Sequence, residues 1–193
     1  MDAKGIINLG IGRLGSYKVN SISPANTPLE RECAANYAQW RDSELTRNRW
    51  VFNRYVKNLS VSGSAPNATD ALPNAFDLPS DCLAVVRKRG DKWVQMGDKL
   101  YTNLDALIIE YKATVAESLM PPLFIEVLAK RIQLEMCEWV SNSNVKADSA
   151  LRMYNKAVKD AATNNAFIIG AEDEINELDE DDTWLSARFG AGI

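Results

Sequence analysis

Hydrophobic and polar positions alternate in two different rhythms along this chain. Leu29, Cys33, Tyr37 and Trp40 recur at spacings of 4, 4 and 3, while Arg31, Glu32, Gln39 and Asp42 fall off that stripe. Thr27-Pro28-Leu29-Glu30 ahead of it has an N-cap residue, a proline suited to the first helical position and a glutamate completing a capping box. A helix is expected from there to about Asn48, with Trp50 and Phe52 just beyond. A second helix opens at Pro121-Pro122, where Leu123, Val127, Leu128, Ile132 and Trp139 can share a face and Glu126, Lys130, Arg131 and Glu135 lie elsewhere. A third runs from about Val145 to Asn165, with Leu151, Val158, Ala161 and Ala162 turned inward.

Between the helices the rhythm shortens. Residues 60–75 are rich in turn formers and small polar residues and read as a loop. β-rich runs follow over 82–88, 92–96, 99–102 and 106–112, with a Gly97-Asp98 turn. Tight links favour an antiparallel meander of three or four strands. The plan is α+β and mainly α: a bundle of three to four helices with an inserted small antiparallel sheet. Residues 1–58 and 115–170 supply the bundle, 59–114 the loop and sheet, and 171–193 an extended acidic C-terminal tail.

Gly10-Ile11-Gly12-Arg13-Leu14-Gly15 matches the dinucleotide-binding G-x-G-x-x-G, which works only when a helix starts at its third glycine and presents free N–H groups to pyrophosphate. Residues 16–24 carry β-branched residues and Pro24 and make a poor helix, and Glu32, near the position of a ribose-binding acid, sits inside the Thr27 helix. Ile7, Ile11 and Leu14, spaced 4 and 3 apart, instead mark a short helix over 7–14 that Gly15 stops as a left-handed cap. No cofactor is expected.

Composition narrows the chemistry. At 46% hydrophobic and 25% charged residues, the chain has an ordinary globular make-up. No apolar run approaches a membrane span and no signal-peptide pattern opens the chain, so a protein that is cytosolic where it is made is expected. Histidine is absent, which removes Ser-His and Cys-His nucleophile pairs, a histidine base and histidine metal ligands. Cys33, Cys82 and Cys137 form no C-x-x-C and read as small buried apolar residues. The net charge of −4 is uneven, because eight of the eleven residues from Glu172 to Asp182 are acidic and the remaining chain holds 22 basic against 18 acidic residues. So dense a run of like charge reads as solvated, or docked on a basic surface. Its 179–183 stretch lacks the glycine of a Ca²⁺ loop.

Neither Asp42 with Glu44 nor Glu135 with Glu138 departs from what a solvated helix face explains, and no S-x-x-K, Walker lysine loop or G-x-S-x-G is present. No catalytic or metal-ligating residue is expected. Arg47, Arg49, Arg54 and Lys57 around Trp50, Phe52 and Tyr55, and the separate run Arg87-Lys88-Arg89, could form a single-strand nucleic-acid platform, although the pI near 5.0 speaks against one.

Several signatures occur in order: Leu14-Gly15 with Val19-Asn20-Ser21-Ile22; Tyr37, Arg41 and Leu45 leading to Trp50-Val51-Phe52; Asn74-Ala75-Phe76-Asp77-Leu78-Pro79-Ser80-Asp81-Cys82-Leu83; and Pro122-Leu123-Phe124. This set resembles the head-to-tail adaptor family of short-tailed bacteriophages, the tail tubular protein A-like proteins, over roughly residues 6 to 165. The resemblance implies a non-enzymatic virion protein of the neck and tail. Such a protein forms a ring, a dodecamer in the family, under the portal protein, extends the DNA ejection channel and carries the downstream tail nozzle protein. Double-stranded DNA would pass without sequence-specific binding, and no membrane partner is implied. The acidic segment and Trp184 to Phe189 have no counterpart in the pattern. A neck connector of a long-tailed phage, or a small nucleic-acid-binding module, are the alternatives.

Overall fold

The computed structural model describes residues 1–15, 18–87, 90–141 and 144–180; the readings placed on Lys88, Arg89 and residues 181–193 lie outside them. Its elements run α1 (Ala3–Ile11), α2 (Pro28–Arg47), β1 (Arg54–Leu59), β2 (Asn74–Asp77), β3 (Cys82–Val86), β4 (Trp93–Met96), β5 (Lys99–Thr102), β6 (Leu107–Ala113), α3 (Pro122–Ser141) and α4 (Asn144–Glu180). The class is α+β, mainly helical.

Local chemistry explains where the helices start. The Asp2 carboxylate accepts from Gly5 N at 2.9 Å and caps α1. At α2 the Thr27 hydroxyl accepts from Glu30 N at 3.2 Å while Glu30 Oε2 accepts from Thr27 N at 3.0 Å, which is the capping box expected. Glu30 also accepts from Asn26 N, Asn20 N and Ser21 N. One carboxylate thus ties the incoming 20–27 loop to the helix N-terminus, and these backbone N–H bonds, that of Thr27 foremost, lower its pKa to about 2.

The glycine motif ends α1. After Ile11 the chain tightens into a 3₁₀ turn over Gly12–Leu14, and Gly15 takes the left-handed conformation at φ +78° with its N–H on Gly12 O. Gly10 has a second role, since a β-carbon there would stand 2.7 Å from Ala129 O and 3.1 Å from Ile132 Cβ. Its missing side chain lets α1 press against α3.

Helix α3 is central, with α1, α2 and α4 all packed on it. Phe124, Val127, Leu128, Ala129, Ile132, Met136 and Cys137 are buried, and so are Lys130 and Gln133. Lys130, expected off the apolar stripe, is nevertheless only 5% exposed because α3 has neighbours on several sides, whereas Arg131 is partly exposed. Trp139, beyond the crowded turns, is instead exposed. On α4 the inward stripe is Ala147, Ala150, Tyr154, Ala157, Val158 and Ala161. Leu151, expected inward, is exposed, because small alanines set the close side of the α3–α4 contact and Leu151 lies one position off that row.

The β region holds more than expected. Two three-stranded antiparallel sheets form, in orders β1-β6-β3 and β2-β5-β4, in place of one sheet of three or four strands. β1 lies in the stretch read as the end of the bundle, and β2 begins inside the stretch read as loop. β1 pairs along its whole length with β6, from Arg54 with Lys112 to Leu59 with Leu107. Leu59, Phe76, Trp93, Leu100, Leu107, Ile109, Tyr111 and Ala113 form a core separate from that of the helices. At the C-terminal side α4 continues fifteen residues past Asn165 to Glu180, so the backbone of 171–180 is helical where an extended tail was expected.

Candidate assembly surfaces

Interior polar groups first show how the helices are fixed relative to one another. Glu44 is 1% exposed, and its Oε1 accepts from Tyr154 Oη at 2.7 Å. The same oxygen lies 3.8 Å from Nη1 of Arg47 and of Arg131, and Arg131 reaches Glu135 at 2.7 Å. Both guanidinium groups sit over the Tyr154 ring, at 5.5 and 5.8 Å from its centroid. Burial, reinforced by the neighbouring carboxylate, raises the phenol's pKa, so Tyr154 stays protonated and donates. This corrects the solvated-face reading of Glu44: the residue joins α2, α3 and α4. Asp42 and Glu135 keep surface positions, with Asp42 held by Arg41 at 2.8 Å.

The arginine-aromatic cluster is built differently from a nucleic-acid platform. Trp50 is buried, donates from Nε1 to Glu44 O at 2.8 Å and meets Phe124 edge-on at 5.3 Å. Phe52 packs on Phe124 at 4.9 Å. Arg47 bonds Tyr154 Oη, and Arg54 is held by Glu110 at 2.5 Å. Tyr55 remains exposed beside Tyr111. The turn carrying Trp50 is pinned from α4, where the Asn165 side chain accepts from Val51 N at 2.9 Å and donates to Arg49 O at 2.5 Å. Two of the three aromatics are thus structural, and two of the four cations are paired. Among the cysteines, Cys33 and Cys137 are buried and Cys82 half-buried.

Among the described residues large apolar side chains stand exposed on several elements, and Phe167, Val56 and Ile108 are the most exposed of them. On the outer face of the β1-β6-β3 sheet, Val56 is 71% and Ile108 68% exposed, on the same side as Glu110 because strand side chains alternate. Val86 pairs with Glu110 from β3 and extends this face. Its ionic centre is neutralised, since Arg54 and Glu110 bond each other. The second surface belongs to α4. Phe167 is 74% exposed, and Ile168 forms one wall of an open apolar pocket of about 150 Å³ with Trp50, Phe52, Pro121, Leu123 and Phe124.

No residue of either surface is marked as a site by the sequence. Val56 and Ile108 lacked a signal because their strand pairing was not apparent, whereas Phe167 lies just past the expected helix end. Among the described residues no helix is long and apolar enough to cross a membrane. Compared with known proteins, the chain matches no family model and no curated protein.

Proposed function

We propose that this chain is a structural subunit of a head-to-tail adaptor ring of a short-tailed phage. It would seat beneath the portal protein, extend the DNA channel and present a platform to the nozzle protein. The observation that carries the reading beyond the sequence resemblance is the pair of unlike exposed apolar surfaces, one on the β1-β6-β3 sheet and one on α4. A surface that differs from its partner surface on the same subunit suits head-to-tail association, which closes into a ring when the rotation per subunit allows. The mainly helical α+β fold is also of the kind the resemblance implies.

The charge agrees with a conduit. A channel for DNA works best without a grip on phosphates, since every added basic contact strengthens non-specific binding. With a net charge of −4 the chain is not basic as a whole, and Arg47 and Arg54 are engaged internally. Mass photometry and negative-stain electron microscopy of the purified protein, alone and mixed with portal rings, test the proposal. Ring-shaped oligomers in either condition are expected. A protein that stays monomeric in both overturns it.

A further inference from the structure

A cavity of about 230 Å³ opens where the end of α1 meets α3 and α4, lined by Arg13, Leu123, Glu126, Lys130, Met153, Lys156, Ala157 and Asp160. Lys130 is the unusual member. The residue is only 5% exposed, yet among the described residues its ammonium group bonds just the Gln133 amide oxygen at 3.2 Å and the Met153 sulfur at 3.4 Å, with no salt bridge. A lysine this deep is ordinarily paired with a carboxylate. The surroundings hold a surplus of positive charge: Arg13, Lys130 and Lys156 against Glu126 and Asp160, with Lys156 and Asp160 already joined at 2.8 Å. Burial, with Arg13 adding to it and Glu126 opposing, lowers the Lys130 pKa. One additional carboxylate would bring the cavity to neutrality and supply the missing partner.

We infer that this cavity is a carboxylate-accepting socket filled by the acidic stretch Glu172–Asp182 of a second copy of the chain. The acids cannot come from the same subunit, because α4 is helical through Glu180 and Glu172 stands about 18 Å along its axis beyond Asp160, at 1.5 Å per residue. In a head-to-tail assembly the neighbouring subunit can deliver what its own helix carries away. The inference rests on the ring reading for its context, but the socket can be assayed without a ring.

The probe is a fluorescein-labelled peptide of residues 171–183, titrated into the 193-residue chain at low ionic strength and at concentrations where the protein is monomeric. Saturable binding is expected, weakened about tenfold by Lys130→Met, which leaves the incoming carboxylate without its buried partner. Arg13→Glu, at an exposed position where the fold is not at stake, is expected to weaken it comparably, whereas Lys57→Glu on β1 carries the same charge change and leaves it intact. The inference fails if no binding occurs, or if Lys57→Glu weakens binding as much as Arg13→Glu does. It fails also if Lys130→Met and Arg13→Glu both bind as the wild type does. Duplex DNA that displaces the peptide, and is itself lost with Lys130→Met, would assign the cavity to phosphates and overturn it too. Socket binding without rings refutes the assembly reading alone, and rings without socket binding refute the socket alone.

Discussion

Replacing Gly10 by alanine sets helix propensity against packing. In an isolated helix the change stabilises by about 1 kcal/mol. Here the new β-carbon would lie 2.7 Å from the backbone oxygen of Ala129 and 3.1 Å from both Cβ and Cγ2 of Ile132. None of these atoms ends a flexible side chain, so α1 must move off α3, disturbing contacts of the fully buried Ile6, Ile7 and Ile11. Overpacking of this kind costs about 1–3 kcal/mol, so a net destabilisation of up to about 2 kcal/mol is expected after the propensity gain. For a protein of this size that lowers Tm by up to about 8 °C. Gly12→Ala is the internal control: it is right-handed at φ −58° and a β-carbon there meets nothing within 4 Å, so it is expected to be neutral or stabilising by up to about 1 kcal/mol. Urea denaturation followed by circular dichroism and tryptophan fluorescence compares the two variants. A Gly10→Ala protein as stable as Gly12→Ala would refute the close-approach argument.

Other perturbations probe different levels of the structure. Glu30 has a folded pKa of about 2 against an ordinary 4.5, so its contribution is fully present above pH 4.5 and is lost as pH falls from there toward 2. Glu30→Gln should therefore be less stable at neutral pH and show a shallower loss of urea midpoint across that window; an unchanged slope would contradict this. Thr27→Ala removes the other half of the capping box and is expected to cost about 1 kcal/mol in the same denaturation assay. Tyr154→Phe takes from buried Glu44 the one close side-chain hydrogen bond it makes among the described residues and is expected to cost about 1–3 kcal/mol, while the smaller effect of an exposed phenol would show that Glu44 is not a helix junction. Val56→Lys with Ile108→Lys, both exposed in the subunit and beside Glu110, should leave stability within about 0.5 kcal/mol per site and abolish ring formation with portal; normal rings would remove the sheet face from the interface.

Much of the helical frame was legible because helix signals are local. Thr27, Pro28 and Glu30 mark the start of α2 through bonds spanning three residues, and the period of Cys33, Tyr37 and Trp40 identifies its inner face. The reading of Gly15 as a left-handed stop likewise needs only the turn preceding it. Strands β4 and β5 were recognisable around the Gly97 turn, where partners are neighbours in sequence. β1 was not, since its partner β6 lies some fifty residues further on and its own burial pattern shows no alternation. The candidate surfaces were invisible for the same reason. An exposed Val56 or Phe167 differs from a core residue only through what packs, or does not pack, on top of it.

The sequence by itself determined the α+β class, the starts of α2 and α3, the end of α1 and the imbalance between a mildly basic body and an acidic C-terminal segment. These are properties of composition and of interactions within a few residues. Only the tertiary structure decided that there are two sheets among the described residues, that Leu151 faces outward, that Glu44 meets Tyr154 across 110 residues and that Lys130 is enclosed with no salt bridge among the described residues. Helical periodicity says that a helix has an inner side. How many neighbours enclose that helix, and so whether a polar side chain on another face meets water or protein, depends on the packing of segments far apart in the chain.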